Sequence, residues 1–275
     1  MALAKLKMDT TDARLAGVVV PEGAAWSNDV RADALSRVSQ MGLPTKRDEY
    51  WKYTDPASLT APVAPKASLF INDEGPLFDA VDRVRIVFVD GVFDADASDD
   101  LVTEGVEITR LADAMQTDIH WVKDLYGVLE KRGQTPVARP LAALNTALAT
   151  DGVVIRVTGK AAKPINFIYL HKDETSDAAL HNVIKVEAGA EMTLLETGPA
   201  AARFSKTLEV DVADDGAFHH VRAQGRDHER RAVTHCFARI GTRSTFKSFT
   251  LTFNGVLTRN ECIIEIIGDD AVAHV

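Results

Sequence analysis

The chain has 275 residues, 46% of them hydrophobic and 26% charged, with a net charge of −9 and a pI near 5.4. That length fills one large domain or two modest ones. The acidic balance argues against nucleic acid as a partner, which needs clustered Lys and Arg. No apolar stretch reaches the length of a membrane-spanning helix.

In chain order, residues 24–41 carry Trp26, Val30, Ala34, Val38 and Met41 at helical spacing, and Gly42 with Pro44 ends that helix. The aromatic cluster Tyr50-Trp51-Lys52-Tyr53 follows. It reads as an anchor on the body, with a binding platform built on a Lys52 cation–π pair as the alternative. Residues 56–68 hold three prolines and read as an extended connection. Residues 84–90 predict a strand closed by the Asp90-Gly91 turn, and 105–109 a second short strand. Asp118 is placed to cap a helix carrying Trp121, Leu125, Val128 and Leu129, ending at Lys131-Arg132-Gly133. A last helix runs from Pro140 to about Ala149.

From Val153 onward the pattern is strands and turns only. Gly189, Gly216, Gly241 and Gly268 each follow a β-branched, apolar run, and Gly159 is a weaker member of the series. A strand, a glycine corner and another strand at near-constant period predict a stacked solenoid. The expected fold is mainly β: a right-handed parallel β-helix over 151–275, preceded by a mixed helical region over 1–150.

Catalytic signatures are scarce. The chain has no Gly-x-Ser-x-Gly, no His-Glu-x-x-His and no phosphate-binding loop. His219 and His220 are adjacent on a strand and point to opposite faces. His228, His235 and Cys236 form a loose set without close metal-ligand spacing. The turn between His171 and His181 lacks the spacing of a calcium loop. Asp214-Asp215 and Asp269-Asp270 sit at glycine corners, where turn-forming Asp is expected. The basic run from Arg222 to Arg231 is diluted by Asp227 and Glu229 and reads as a solvated turn. Cys236 and Cys262 lie 26 residues apart, one period, so they stack on neighbouring coils. A disulfide is open to them. The first residues lack the apolar core of a secretory signal, which places the chain in a reducing cytoplasm with both cysteines as buried thiols.

Two segments carry a family resemblance. Asp48-Glu49-Tyr50-Trp51-Lys52-Tyr53-Thr54, followed by Leu59, resembles the E-x-W-K-Y-T segment of SufD-type proteins of the SUF iron–sulfur cluster assembly system. The stretch from Pro140 through Asn145 and Asp151 to Val157 is similar to that family's helix-then-strand approach to its β-helix. The N-terminal segment and the short region before the solenoid are SufD-like rather than SufB-like.

The resemblance implies a non-enzymatic scaffold. Members pair through their β-helices with a SufB paralogue and bind the SufC ATPase through a C-terminal helical domain. The complex builds a nascent Fe–S cluster from persulfide sulfur, with a flavin as a further candidate cofactor of the assembly. Members continue past the equivalent of Val275, so the chain is expected to be an N-terminal fragment, with Cys262 to Val275 its least protected segment. No catalytic, cofactor or metal-ligating residue is carried over to this chain, and His274 is given no such role. The competing reading is a β-helix carbohydrate-active enzyme, a polysaccharide lyase or hydrolase built on paired Asp.

Overall fold

The computed structural model describes residues 4–69, 77–118, 120–198, 200–225 and 229–275. The elements are α1 (Lys5–Leu15), α2 (Ala25–Met41), a 3₁₀ turn (Glu49–Trp51), α3 (Ala57–Thr60), β1 (Val84–Val89), β2 (Val92–Asp94), β3 (Val102–Thr103) and β4 (Val106–Arg110). There follow α4 (Leu111–Ala114), a 3₁₀ turn (Trp121–Asp124), α5 (Val128–Arg132), α6 (Pro140–Leu148), β5 (Val153–Val157) and β6 (Ile165–Leu170). The remainder is β7 (Asp177–Val186), β8 (Glu191–Thr197), β9 (Arg203–Val212), β10 (Ala217–Gln224), β11 (Arg231–Ile240), β12 (Thr245–Thr252), β13 (Leu257–Ile266) and β14 (Val272–His274).

Odd and even strands of the later chain fall into separate sheets. One sheet has the order β14-β12-β10-β8-β6-β1-β2, the other β13-β11-β9-β7-β5-β4-β3. From β6 onward every pairing is parallel, so the chain winds alternately through the two sheets as a parallel β-solenoid. The inward faces pack one continuous core, with Ile155, Ile184, Val210 and Ala238 stacked in register. Such a column is the expected consequence of a period-2 pattern repeated coil after coil.

The expected boundary at residue 150 runs through these sheets. β1 pairs in parallel with β6, and β4 pairs antiparallel with β5, so residues 84–110 extend the solenoid. A helix α1, not read from the sequence, packs Thr11 against the chain at Leu43.

The single helix expected over 118–132 is broken. His120 rather than Asp118 caps the 3₁₀ turn, its Nδ1 accepting from Val122 N at 3.1 Å. Gly127 then takes φ +73 and restarts the chain into α5. The buried Glu209 carboxylate, arriving from β9, accepts N–H bonds from Gly127 and Glu130, both at 2.7 Å. A carboxylate supplied from a distant strand to the amides that open a helix is invisible to local periodicity.

The corners also differ in detail from the glycine series. Of the four repeating glycines only Gly189 is left-handed, with φ +71. In the later coils the left-handed residue is Asp215, Arg243 or Asp270. Asp tolerates that conformation better than most residues. Gly189 N, Asp215 N and Arg243 N each bond a carbonyl of the next corner, which locks coil to coil.

Candidate functional site

The interior changes character along the solenoid. In one sheet Phe167 stacks on Glu196, then Arg222, then Thr250, and beside it Ile165 stacks on Leu194, then His220, then Ser248. In the facing sheet Leu180 stacks on Lys206, Thr234 and Asn260, and Leu208 on Cys236 and Cys262. Apolar columns of the first coils thus become polar in the later ones. The signal was present in the sequence as Glu196 following Met192 and Leu194 at inward spacing, and Lys206 between Phe204 and Leu208. Besides the paired Asp residues at the corners, two carboxylates, Glu196 and Glu209, lie fully buried within strands.

Glu196 is the hub. It accepts from Tyr169 Oη at 2.9 Å, from His220 Nε2 at 2.9 Å, and on both oxygens from Lys206 Nζ. His220 Nδ1 lies 3.0 Å from Ser248 Oγ. With Nε2 donating to the carboxylate, a neutral ring accepts the serine proton at Nδ1. Above this hub Arg222 donates to Thr234 Oγ1 at 2.8 Å and Thr250 Oγ1 at 3.3 Å. Thr234 in turn donates to Asn260, and Asn260 to Gln224, at 2.7 and 3.0 Å.

Burial alone would raise the Glu196 carboxyl, but the Lys206 ammonium, the His220 hydrogen bond and the Arg222 charge outweigh it and hold the carboxyl well below its usual range. Burial pushes Lys206 down to about 8, with Glu196 opposing the shift. Burial also lowers His220 and raises the Tyr169 phenol well above its usual value. The network therefore holds one carboxylate and two cations, Lys206 and Arg222. It can stabilise a further anion or relay a proton among Lys206, Glu196 and His220. The void beside it measures ≈ 10 Å³, about one water molecule, which excludes an organic substrate there.

Of the residues singled out from sequence, His220 and Arg222 join this network, Arg222 buried on β10 rather than in a solvated turn, and the others fall elsewhere. His219 is partly exposed and His220 interior. His235 faces the opposite side of β11 from Cys236 and stacks on Phe237 at 6.1 Å, while Arg226, Asp227 and His228 lie outside the described residues. Among the described residues no three His, Cys, Asp or Glu side chains gather as metal ligands. His171 Nε2 sits 3.0 Å from Asp173 O, and Asp173 closes its own turn by accepting from Thr175. Asp215 forms two 2.7 Å bonds with Arg243 across the corner, and Asp214 accepts from Thr242 N at 2.7 Å. These carboxylates serve the turns.

In the aromatic cluster, Trp51 is buried against Val38, Leu59, Leu141 and Val233. The Arg259 guanidinium covers it at 4.2 Å and reaches Tyr50 at 5.4 Å. Trp51 anchors the segment, whereas Tyr53 is 91% exposed with Lys52 5.5 Å from its ring. Tyr53 borders an open groove of ≈ 530 Å³ that also includes Asp55, Ser58, Val256 and Thr258.

Comparison with known proteins adds the following. Residues 78–165 match the SufBD protein N-terminal region, and residues 169–275 the SUF system FeS cluster assembly, SufBD core domain. The chain is 25% identical over 256 residues to the iron–sulfur cluster assembly protein SufD of Escherichia coli (strain K12), covering 88% of this chain and 56% of that protein. The chain thus spans a little over half the length of this curated relative. No helix among the described residues is long and apolar enough to cross a membrane.

Proposed function

We propose, from the premise that the chain belongs to the SufB/SufD family of the SUF system, that it is a SufD-type scaffold component of iron–sulfur cluster assembly, acting with a SufB-like paralogue and a SufC-like ATPase. The observation that carries the reading is the near-continuous match from residue 78 to 275, which spans both stacked sheets. One feature is consistent with it: the void of ≈ 10 Å³ beside the polar network admits no organic substrate. In this reading the nascent cluster is cargo, ATP hydrolysis belongs to the partner, and the site of action is the cytoplasm.

The test is affinity purification of the full-length protein from its own cells, with this 275-residue chain alongside and partners identified by mass spectrometry. Co-purification of a SufC-like ATPase and a SufB-like paralogue with the full-length protein is expected. Recovery of neither, together with turnover of a polyuronide by the purified protein, would transfer the fold to the carbohydrate-active reading.

A further inference from the structure

Residues 61–68, Ala-Pro-Val-Ala-Pro-Lys-Ala-Ser, follow α3 and set an alanine at every third position. Ala61 has φ −59 and ψ 144, a polyproline II geometry, and Pro62 and Pro65 fix φ in the same range after it. Such a helix turns once in three residues, so Ala61, Ala64 and Ala67 share one side. Burial follows that period: Ala64 and Ala67 are buried, whereas Pro62, Val63, Lys66 and Ser68 are exposed.

The segment is bonded across one corner of the solenoid as a strap. Ala61 O accepts from Arg203 Nη1 at 2.6 Å, and Lys66 O from Arg231 Nη1 at 3.3 Å. Ala67 N donates to Glu174 O at 2.8 Å, and Ser68 N to the Glu229 carboxylate at 2.7 Å. These partners open β7, β9 and β11, so the strap spans three consecutive coils. At that corner Ala200, Ala201 and Ala202 are 3, 0 and 0% exposed, whereas Asp214 and Asp215 at the opposite corner face solvent. The same corner closes the interior hub: Gly198, Ala200 and Gln224 line its void together with Glu196 and Lys206. Yet the strap is lightly held. A polyproline II helix has no internal hydrogen bonds, its prolines bring no donor, and the side chains it buries are alanines. Segments with so little buried apolar area open at far less cost than the whole fold.

We propose that residues 61–68 open as a unit while the solenoid stays folded, and that this opening gates the way from solvent to Lys206 in the interior hub. Glu229 and Arg231 are the anchors that release it. Arg203 is a fixed post, because Asp177 also holds it through two hydrogen bonds. The gate stands apart from the scaffold reading and needs no partner protein.

The test joins two measurements on the full-length protein. Hydrogen exchange of the wild type should show the Ala67 and Ser68 amides exchanging well before those of β7 and β9. Carbamylation by cyanate, a small reagent for unprotonated amines, is then read lysine by lysine by mass spectrometry near pH 8.5. Burial holds Lys206 at about 8, so it reacts readily once reached, and exposed Lys123 serves as the internal reference. Glu229→Ala and Arg231→Ala should each speed carbamylation of Lys206 relative to Lys123, Glu229→Ala by about tenfold, the scale of one hydrogen bond to a charged group. Circular dichroism and the urea midpoint check that each variant is folded, and the exchange comparison stands on the wild type alone. Strap amides that exchange only as slowly as those of β9 would overturn the separate unit. Faster strap exchange in either variant with Lys206 carbamylation unchanged would overturn the gate.

Discussion

Substituting Glu196→Gln keeps the shape of the hub and removes its charge. The variant leaves the Lys206 ammonium fully buried beside Arg222, with no carboxylate to answer either. Breaking a buried ion pair from one side costs about 3–5 kcal/mol. Lys206→Met should cost less, about 1.5–3 kcal/mol, the scale of a hydrogen bond to a charged group. The carboxylate it leaves behind still accepts from Tyr169 and His220. The double variant removes both charges and should recover part of the loss, with a coupling of about 1–3 kcal/mol. Urea unfolding followed by tryptophan fluorescence reads these values. With m near 3 kcal/mol/M the Glu196→Gln midpoint falls by about 1–1.7 M. Strict additivity of the two single variants, or a Glu196→Gln loss below about 1 kcal/mol, would show that the pair is not the coupled, desolvated unit described here.

Three further outcomes are expected. His235 is held at about 4 by burial, with Glu261 opposing and Arg139 and Arg259 assisting, so between pH 6.5 and 4 the unfolded chain takes a proton that the folded one refuses. Stability should fall with pH through that window by about 3 kcal/mol, and His235→Phe should flatten the fall in urea midpoints measured at pH 4.5 and 7.5. Phe237→Ala empties a site that is 1% exposed beneath the helices and should cost about 3–5 kcal/mol in the same assay, whereas Arg243→Ala, at an exposed corner, should leave the midpoint unchanged. In hydrogen exchange, amides of β9, which is paired on both sides, should outlast those of β13 and β14, which carry a described neighbour on one side only. Uniform protection from β9 through β14 in a monomer would contradict that.

Much of the architecture was legible because it is local and repeated. The period-2 runs before Gly189, Gly216, Gly241 and Gly268 placed β7, β9, β11 and β13, and the apolar spacing from Trp26 to Met41 placed α2, because inward and outward residues alternate at fixed intervals. The stacking of Cys236 on Cys262 followed from the period alone. Other features were not local. The break before α5 depends on Glu209, 79 residues beyond Glu130. β1 and β4 join the solenoid through pairings with β6 and β5 that no stretch of sequence announces.

The division has one physical origin. The sequence by itself determined which residues face inward, since side-chain direction along a strand depends only on parity. It therefore contained Glu196, Lys206, His220 and Arg222 as charged or polar residues at inward positions. Only the tertiary structure decided that they meet, because the coil lengths bring Glu196 of one sheet against Lys206 of the other and His220 of the next coil. A charge at an inward position is a deficit in sequence; it becomes a hub only when winding fixes the partners within hydrogen-bond reach.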